Sequence, residues 1–483
     1  MRIGKVDYPL SFGFVWGDGT RDYLVANHIL KYQEFPQLGP FNLLFDSGIY
    51  GSALYFYILA LMLFFFNSVL TLSIVNILLQ LAVVVLIYQI SKNLFDHPTA
   101  LIASVLFSFN IEILHHSDYI WQPYLMQPVI YLALFFLAQT LIQKVHLKLF
   151  LSLFFLSLAI TLHNSAFPWL PVFLLAATLI LKRDHRPFKY YLGVVLALIL
   201  PAMTFYLPVV VYKLGQFNQI SPGVGRIYVQ SVLEYSSNLI SNANQLLSAF
   251  GFKSESLFIL VFMIIWYFFK IKDKTNQKKL TFLMLTLVIL PIIFASFFNK
   301  IRLHYLILSM GTLTIFTAKI ISSFARYKVM LGILLFLFFF KIFSSDFVFL
   351  KDYKSPFVDY NLIETITDNI KHELEFIQKK DGFSDFSFFK VRSFAKAREV
   401  FYYPVLDTIL LVPLEDKLNQ KLSYVSDNSP YNHVQIGGDQ YLVVTCYQVE
   451  CLEVFRRQHS QYDILKKIYG SYRIFVYLAK LHE

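Results

Sequence analysis

The sequence has little charge for its length. Only 15% of its 483 residues are charged, whereas a soluble globular protein carries roughly 25%. Hydrophobic residues make up 57% of the chain, and its mean hydropathy is +0.55. This shortage of charge excludes an ordinary soluble domain and indicates a protein that is embedded in lipid.

Cysteine is also scarce. The two cysteines, Cys446 and Cys451, both lie in the polar C-terminal part of the chain. No Cys/His cluster has the spacing of a structural zinc site, which excludes a zinc-finger type of fold. In an oxidising compartment the two residues can form a disulfide. Two free buried thiols are the alternative, and the sequence leaves both open.

The basic balance of the chain does not indicate nucleic-acid binding. The formal net charge is +11, but the basic residues sit in short clusters between apolar runs. Cytoplasmic loops of membrane proteins have this arrangement. We therefore predict membrane lipids as partners and no nucleic-acid partner.

Apolar runs predict about ten transmembrane helices, since a membrane helix needs about 20 mainly apolar residues. The predicted spans are Ser68–Ile90, Thr99–Leu114, Tyr124–Gln143, Lys148–His163, Phe167–Leu181, Tyr190–Tyr212, Ser256–Lys270, Leu280–Phe298, Leu303–Phe324 and Lys328–Ser345.

The basic residues between these spans predict the orientation. The loops after spans one, three, five, seven and nine contain 14 Lys and Arg residues, and the loops of the opposite set between spans contain 5. Because basic residues collect on the cytoplasmic side, the first set is predicted to be cytoplasmic. Residues 1–67, the Gly215–Glu255 loop and the chain after Asp346 are then outside.

The apolar stretch Gly51–Phe66 would reverse every later loop if it crossed the membrane. We therefore interpret it as an interfacial or re-entrant helix on the outer side. Its aromatic residues Tyr55, Phe56 and Tyr57 suit the headgroup region. A mixed topology in which this stretch spans the membrane is the less favoured alternative.

The chain divides into three predicted parts. Residues 1–67 form an outer acidic loop with the interfacial helix, residues 68–345 form the transmembrane domain, and residues 346–483 form a small extracytoplasmic α/β domain. In this last part Asn361–Lys379 has the pattern of an amphipathic helix. Strand patterns occur at Phe386–Val391, Thr408–Val412, Tyr441–Cys446 and Arg473–Ala479. The fold class is thus an α-helical polytopic membrane protein with this C-terminal domain.

The outer N-terminal segment contains the most informative residues. Asp18 and Asp22 are four residues apart, which places them on one face of a helical turn, with Arg21 between them in sequence. A carboxylate at the membrane surface can act as a general base on a hydroxyl or can hold a divalent cation. A solvated helix face or a helix cap is the commoner role of such a pair. The sequence does not require a cofactor.

The segment Trp16–Leu30, continued by Gly48–Tyr57, resembles the GT-C glycosyltransferases. The resemblance is to their bacterial branch, which includes protein O-mannosyltransferases and the lipid A aminoarabinose transferase. It implies that Asp18 is the leading acid of the first outer loop and that Arg21 and Asp22 are the Arg-Asp pair of this branch. Gly19 stands where a second acid is often found. Relatives have a membrane helix before this loop, so this member either lacks that helix or is truncated.

Two further segments extend the resemblance. The stretch His115–Pro123 is similar to a Ser-Arg-x-x-x-Asn-Pro element, with Asp118 in place of the basic residue, and this implies that Asp118 belongs to the site. The stretch His163–Ala166 is similar to a His-x-x-Ala element, which implies a substrate-binding role for His163. A packing role at the end of a helix is equally compatible with His163.

A short basic segment lies on the side of the membrane where few basic residues are expected. Lys300, Arg302 and His304 belong to it, and arginine is suited to bidentate contact with phosphate. The alternative is that these side chains extend to the membrane surface. The stretch with Glu112, His115 and His116 contains metal-ligand residue types, but one such triplet does not establish a metal site.

These observations predict an inverting glycosyltransferase. Its donor would be a polyprenyl-phosphate sugar, and its acceptor a hydroxyl of a lipid, a glycan or a protein at the outer membrane face. The alternatives are a transporter or flippase of lipid-linked sugars, an oligosaccharide polymerase or ligase, and a non-enzymatic assembly factor. A transporter would need ionisable residues within spans or internal repeats, and the predicted spans are almost free of charge.

Overall fold

We describe the protein from a computed structural model. It describes residues 18–36, 39, 52–66, 69–110, 113, 121–143, 145–215, 232–249, 275–296, 307–323, 365, 368–373, 375–376, 379, 386–391, 423–427, 432–436, 441–446, 456–457, 460–470 and 475–481.

Most of the described residues are helical. The α-helices are α1 (Asp18–Tyr32), α2 (Leu54–Phe66), α3 (Val69–Leu94), α4 (His97–Ser108), α5 (Gln122–Gln143), α6 (His146–Leu162), α7 (Leu170–Arg183), α8 (Phe188–Gly215), α9 (Val232–Ala249), α10 (Thr275–Ser296) and α11 (Ile307–Ser323). A short 3₁₀ helix, Asn164–Trp169, leads directly into α7.

Four segments of the described chain are long and apolar enough to cross a membrane. They are Leu72–Leu94, Gln122–Gln143, Asn164–Arg183 and Phe188–Val211. Each coincides with a predicted span, and four further predicted spans fall on α4, α6, α10 and α11. The predicted spans Ser256–Lys270 and Lys328–Ser345 lie outside the described residues, so the helix count of ten stays a prediction.

The predicted span Thr99–Leu114 was too long. Helix α4 ends at Ser108, six residues before the predicted end. The physical reason lies in Asn110, whose buried side-chain Oδ1 accepts a hydrogen bond from the Ile113 backbone N–H at 3.1 Å. An asparagine side chain that bonds locally to the backbone competes with the helix. Apolarity alone did not reveal this stop.

The helix α5 defines two ends of the bundle. Its 22 residues extend about 33 Å at 1.5 Å per residue. We call the two ends the Gln122 end and the Gln143 end after the termini of α5. Helix α6 begins at the Gln143 end and returns beside α5, so His163, the residue after α6, lies at the Gln122 end.

Aromatic side chains join the helices in the bundle core. The fully buried Trp169 donates a hydrogen bond from Nε1 to the Leu287 carbonyl of α10 at 3.0 Å. The Tyr131 hydroxyl of α5 donates to the Leu308 carbonyl of α11 at 2.5 Å. The two rings contact each other edge to face, with centroids 6.1 Å apart. Both polar atoms are thus satisfied inside the core, as buried Tyr and Trp require.

Helix α2 is one of the shorter apolar helices of the described chain. Its 13 residues extend about 20 Å, against roughly 30 Å for the hydrocarbon core. Leu54, Tyr55 and Leu59 are buried against neighbouring helices, whereas Phe64 and Phe65 are exposed. The length agrees with the predicted interfacial helix, and its position at the outer membrane surface stays a prediction.

The described strands of the C-terminal part form one six-stranded sheet. The strands are β1 (Phe386–Val391), β2 (Ser423–Asp427), β3 (Asn432–Ile436), β4 (Tyr441–Cys446), β5 (Tyr462–Gly470) and β6 (Phe475–Leu481). Their order is β2-β1-β3-β4-β6-β5. Only the β1–β2 pair is parallel among the described pairings.

The bounds of β1 and β4 are those expected from the sequence, and β6 overlaps the strand predicted at Arg473–Ala479. The predicted strand Thr408–Val412 lies outside the described residues. A separate extracytoplasmic domain and the state of the two cysteine thiols stay predictions.

A partly buried ion pair joins α4 and α11 near the Gln143 end of the bundle. Lys319 of α11 is 7% exposed, and its Nζ lies 3.0 Å from Oδ2 of Asp96, the N-cap of α4. Burial tends to raise the pKa of Asp96, but hydrogen bonds from Thr99 and the contact with Lys319 outweigh it and hold this pKa below its usual value. Beside the pair, the Thr99 and Ser322 hydroxyls lie 2.7 Å apart.

We expect Asp96→Asn to destabilise the protein by about 2 kcal/mol. Asparagine remains a good N-cap, so the loss would come from leaving the Lys319 ammonium buried without its carboxylate. Removing one partner of a fully buried pair costs about 3–5 kcal/mol, and the value is smaller here because the Asp96 side chain is 40% exposed. Lys319→Met should cost less, since water can solvate Asp96. Unfolding of both variants in detergent measures the difference, and an equal loss in both would contradict this account.

Candidate active site

Asp22 is the sequence-predicted site residue that the structure describes most fully. It lies on α1 and is fully buried, with 0% of its surface exposed. The Gln122 side chain donates a hydrogen bond from Nε2 to Asp22 Oδ2 at 3.3 Å. A buried carboxylate needs such donors, because burial without partners disfavours its charged form. The first turn of α5 therefore supports the acid predicted in the N-terminal segment.

The sequence of α1 explains why Asp22 faces inward. Asp22, Ala26 and Ile29 are buried and lie at intervals of four and three residues, so they share one face of the helix. Asp18 begins α1, one helical turn before Asp22. The side chains of Asp18 and Arg21 lie outside the described part of the chain. Their backbone positions nevertheless place both predicted residues in the helical turn that precedes Asp22.

His163 lies at the junction between α6 and the 3₁₀ helix. Its Nδ1 lies 2.8 Å from the Ser165 hydroxyl, and the Ser165 backbone N–H donates to the same Nδ1 at 3.3 Å. Because Nδ1 accepts this bond, the proton of the neutral ring is placed on Nε2. The packing role left open by the sequence is thus present, since His163 caps the 3₁₀ helix. The cap leaves Nε2–H as the ring's hydrogen-bond donor.

Helix α5 connects the Asp22 and His163 positions. Met126 lies one helical turn after Gln122, and its Sδ lies 3.7 Å from the Ser165 hydroxyl oxygen. Asn164, next to His163, is held by the Tyr206 hydroxyl of α8 at 2.7 Å. Four segments of the chain therefore meet at the Gln122 end: α1, the start of α5, the α6 junction and α8.

The structure does not describe the other residues that the sequence predicted for the site. Asp118, Lys300, Arg302 and His304 lie outside the described residues, as do Glu112, His115 and His116. Among the residues that the structure describes, no group of three or more His, Cys, Asp or Glu side chains is arranged to hold a metal ion.

The sequence alone did not identify Gln122 as a site residue. It lies within the stretch His115–Pro123 that resembles a family element, but only Asp118 was chosen from that stretch. A glutamine at the first position of a membrane helix is itself a signal, because buried amides in such helices need hydrogen-bond partners. The identity of that partner, a residue 100 positions away, comes only from the fold.

Comparison with solved structures identifies the fold. The crystal structure of ArnT from Cupriavidus metallidurans bound to undecaprenyl phosphate superposes with a TM-score of 0.55 at 10% sequence identity, covering 95% of this chain and 93% of that chain. Its apo state gives a TM-score of 0.56. The chain has the ArnT fold. ArnT is a GT-C lipid A aminoarabinose transferase, so the resemblance to GT-C enzymes seen in the sequence is confirmed at the level of the fold.

The oligosaccharyltransferase of Archaeoglobus fulgidus is a more distant structural neighbour, with a TM-score of 0.41 and 13% identity over 72% of this chain and 51% of that chain. No family model and no curated protein sequence matches this chain. The likeness to ArnT covers almost the full length of both chains.

Proposed function

We propose that this protein is a membrane glycosyltransferase. It transfers a sugar from a polyprenyl-phosphate carrier to a hydroxyl of a lipid, a glycan or a protein at the outer membrane face. The observation that supports this most is the buried acid Asp22, held by Gln122 at one end of a bundle that has the ArnT fold. The undecaprenyl phosphate in the ArnT structure supports a lipid-phosphate carrier as the donor.

In the proposed mechanism Asp18 is the general base. Its carboxylate takes the proton of the acceptor hydroxyl while the oxygen attacks the anomeric carbon from the face opposite the phosphate. The bond between that carbon and the phosphate oxygen breaks, and its electron pair leaves with the lipid phosphate. Attack from the opposite face inverts the anomeric configuration. A base positioned in this way contributes about 10²–10⁴-fold to a rate.

Asp22 has a different part in this mechanism. Because its side chain is fully buried and accepts a hydrogen bond from Gln122, it is poorly placed to meet an acceptor directly. It instead fixes α1 against α5, so that the turn beginning with Asp18 keeps its position. Its negative charge, one helical turn away, also favours proton uptake by the Asp18 carboxylate.

The departing lipid phosphate gains negative charge, which nearby cations would stabilise. Lys300, Arg302 and His304 are the proposed contacts for its developing charge, because preorganised donors stabilise charge that forms in the transition state. His163 can add a neutral donor through Nε2–H, since its Nδ1 is occupied by the Ser165 N–H. Arg21 and Asp118 are proposed to bind substrate. The proposal needs no metal ion.

Membranes containing the purified protein should transfer label from a radiolabelled polyprenyl-phosphate sugar to an endogenous acceptor. Membranes prepared without the protein are the matched background. A product that appears only with the protein supports the proposed reaction, and the anomeric configuration of the product tests inversion. If labelled carrier crosses the bilayer without any transfer, the protein is a flippase and the proposal is wrong.

In the same assay Arg302→Ala should weaken use of the donor. Loss of one charge-assisted hydrogen bond costs about 1.5–3 kcal/mol, which corresponds to roughly a 10–150-fold lower kcat/KM for the donor. Lys253→Ala is a suitable control, because Lys253 is a basic residue of another predicted outer loop. Unchanged donor kinetics in a well-folded Arg302→Ala protein would show that this basic segment only anchors the protein at the membrane surface.

A further inference from the structure

The turn between α7 and α8 carries a dense group of basic residues at the Gln143 end. The sequence from residue 182 to residue 190 is Lys-Arg-Asp-His-Arg-Pro-Phe-Lys-Tyr. It contains four cations, Lys182, Arg183, Arg186 and Lys189, and one acid, Asp184. We call these nine residues the basic turn. Nothing in the proposed transfer reaction uses them, because they lie about the length of α5 away from Asp22.

Backbone hydrogen bonds hold the basic turn in a defined shape. The N–H groups of Asp184, His185 and Arg186 donate to the carbonyls of Ile180, Lys182 and Leu181 at 3.0, 3.2 and 3.0 Å. His185 has a φ of 47°, in the left-handed region that non-glycine residues seldom adopt. The cations are therefore displayed from an ordered turn.

The single acid of the turn is already paired. Asp184 is 11% exposed; its Oδ1 lies 2.9 Å from Arg183 Nε, and its Oδ2 lies 3.5 Å from His146 Nε2. Among the described residues, Lys182, Arg186 and Lys189 form no ion pair. Three positive charges thus remain without a counterion from the described part of the chain.

Arg186 is the most constrained of the three. Its guanidinium lies over the Tyr190 ring, 5.1 Å from the centroid, and Lys189 Nζ lies 5.9 Å from the same centroid. The Nε of Arg186 is buried and has no hydrogen-bond partner among the described residues. The Arg186 guanidinium also forms no ion pair with a described carboxylate, so its charge favours an anion that reaches the turn from outside the chain.

The position of the turn indicates the source of that anion. Phe188 is 81% exposed, more than any other large hydrophobic side chain in the described residues. It is the first residue of α8, which continues as an apolar segment long enough to span a membrane. Its ring is therefore at the level where aromatic residues meet the lipid headgroups. The cations beside it lie at the same level.

We propose that the basic turn binds the headgroup phosphate of an anionic phospholipid. Arg186 and Lys189 are the ligands of the phosphate, Tyr190 orients them, and Phe188 inserts between the acyl chains. Basic sites between membrane helices bind anionic headgroups in this way. Arginine adds a planar pair of donors that matches two phosphate oxygens. The occupant is a membrane phospholipid and is distinct from the polyprenyl phosphate donor, which is expected at the Gln122 end.

Lipid retention by the full chain tests the site. The protein is reconstituted into phosphatidylcholine nanodiscs containing a minor fraction of phosphatidylglycerol, and the phosphatidylglycerol bound to it is measured by native mass spectrometry. Each basic residue near an anionic lipid contributes about fivefold to its binding. R186Q/K189Q should therefore lower phosphatidylglycerol binding about twentyfold, whereas R186K should retain most of it.

The control is K92Q/K148Q, which removes two cations from the same end of the bundle but leaves the basic turn intact. It should bind phosphatidylglycerol within about twofold of the wild type. Equal losses in the two double variants, or no loss in R186Q/K189Q, would overturn the proposal. Displacement of the lipid by inorganic phosphate would also overturn it, in favour of a soluble anion. If R186Q/K189Q does not fold, K189Q alone should still show about a fivefold loss, and its absence would count against the site.

Discussion

Asp18→Asn should lower turnover by about 10²–10⁴-fold. Asparagine has almost the same shape as aspartate but cannot take a proton from the acceptor hydroxyl. Donor binding should be unchanged, since the proposed phosphate contacts lie on another segment of the chain. The measurement is kcat with a labelled polyprenyl-phosphate sugar, together with the Kd for the same donor. The expected result is a fall in kcat with a Kd close to that of the wild type.

Asp22→Asn gives the comparison that separates the two acids. Asparagine can still accept the Gln122 hydrogen bond through its carbonyl oxygen, so α1 should remain in place and activity should fall less than in Asp18→Asn. Glu34→Gln is the matched control, because the Glu34 side chain is 50% exposed and lies just after the same helix. If Asp18→Asn is active and Asp22→Asn is not, the base is Asp22. If both are active, the glycosyltransferase proposal is wrong.

Gly311→Ala should destabilise the protein strongly, because the core has no room for another methyl group at this position. A Cβ at Gly311 would overlap the hydroxyl and ring of Tyr131, and the Tyr131 side chain is fully buried. Overpacking of a core costs about 1–3 kcal/mol, and displacement of the ring would also break the bond to the Leu308 carbonyl, worth about 1 kcal/mol. We expect a total of about 3 kcal/mol, measured by unfolding in detergent.

Two variants show whether Tyr131 is the cause. Gly193→Ala is the matched control, because the Cβ there would meet the Phe150 ring at 2.9 Å, and that ring is only partly buried and can turn aside. It should cost less than Gly311→Ala. Adding Tyr131→Phe to Gly311→Ala removes the overlapping hydroxyl, so the double variant should be more stable than the two separate losses predict. Strict additivity would mean that the loss arises elsewhere.

The apolar runs of the sequence predicted the helices well because each helix depends on its own residues. The run at Tyr124–Gln143 differs from the observed α5 by two residues at one end, and α8 extends its predicted span by a few residues at each end. Strands β1 and β4 had the same advantage, since their alternation is local. The end of α4 was mispredicted because one side chain, that of Asn110, bonds to the backbone beyond the helix.

The candidate site was predictable only in part. The acidic residues of α1 stand out in the sequence, because carboxylates are scarce in so apolar a chain. Their partner Gln122 does not, because the contact joins residues 100 positions apart and no local pattern encodes it. The same holds for Lys319, which the sequence presents as one cation in an apolar run. Its partner Asp96 is known only once α4 and α11 pack together.

The pairing of Asp96 with Lys319 also has a consequence for biosynthesis. The two residues are 223 positions apart, and ribosomes add about 5–20 residues per second, so α4 would be in the membrane for roughly 10–45 s before its partner on α11 is made. During that interval the Asp96 carboxylate has its hydrogen bonds from Thr99 but lacks the Lys319 ammonium, so water must solvate the rest of its charge. When α11 is made, the contact between Lys319 and Asp96 joins it to α4. A ribosome that stalls before Lys319 would therefore leave a chain in which α1–α10 have been made but Asp96 lacks its partner cation.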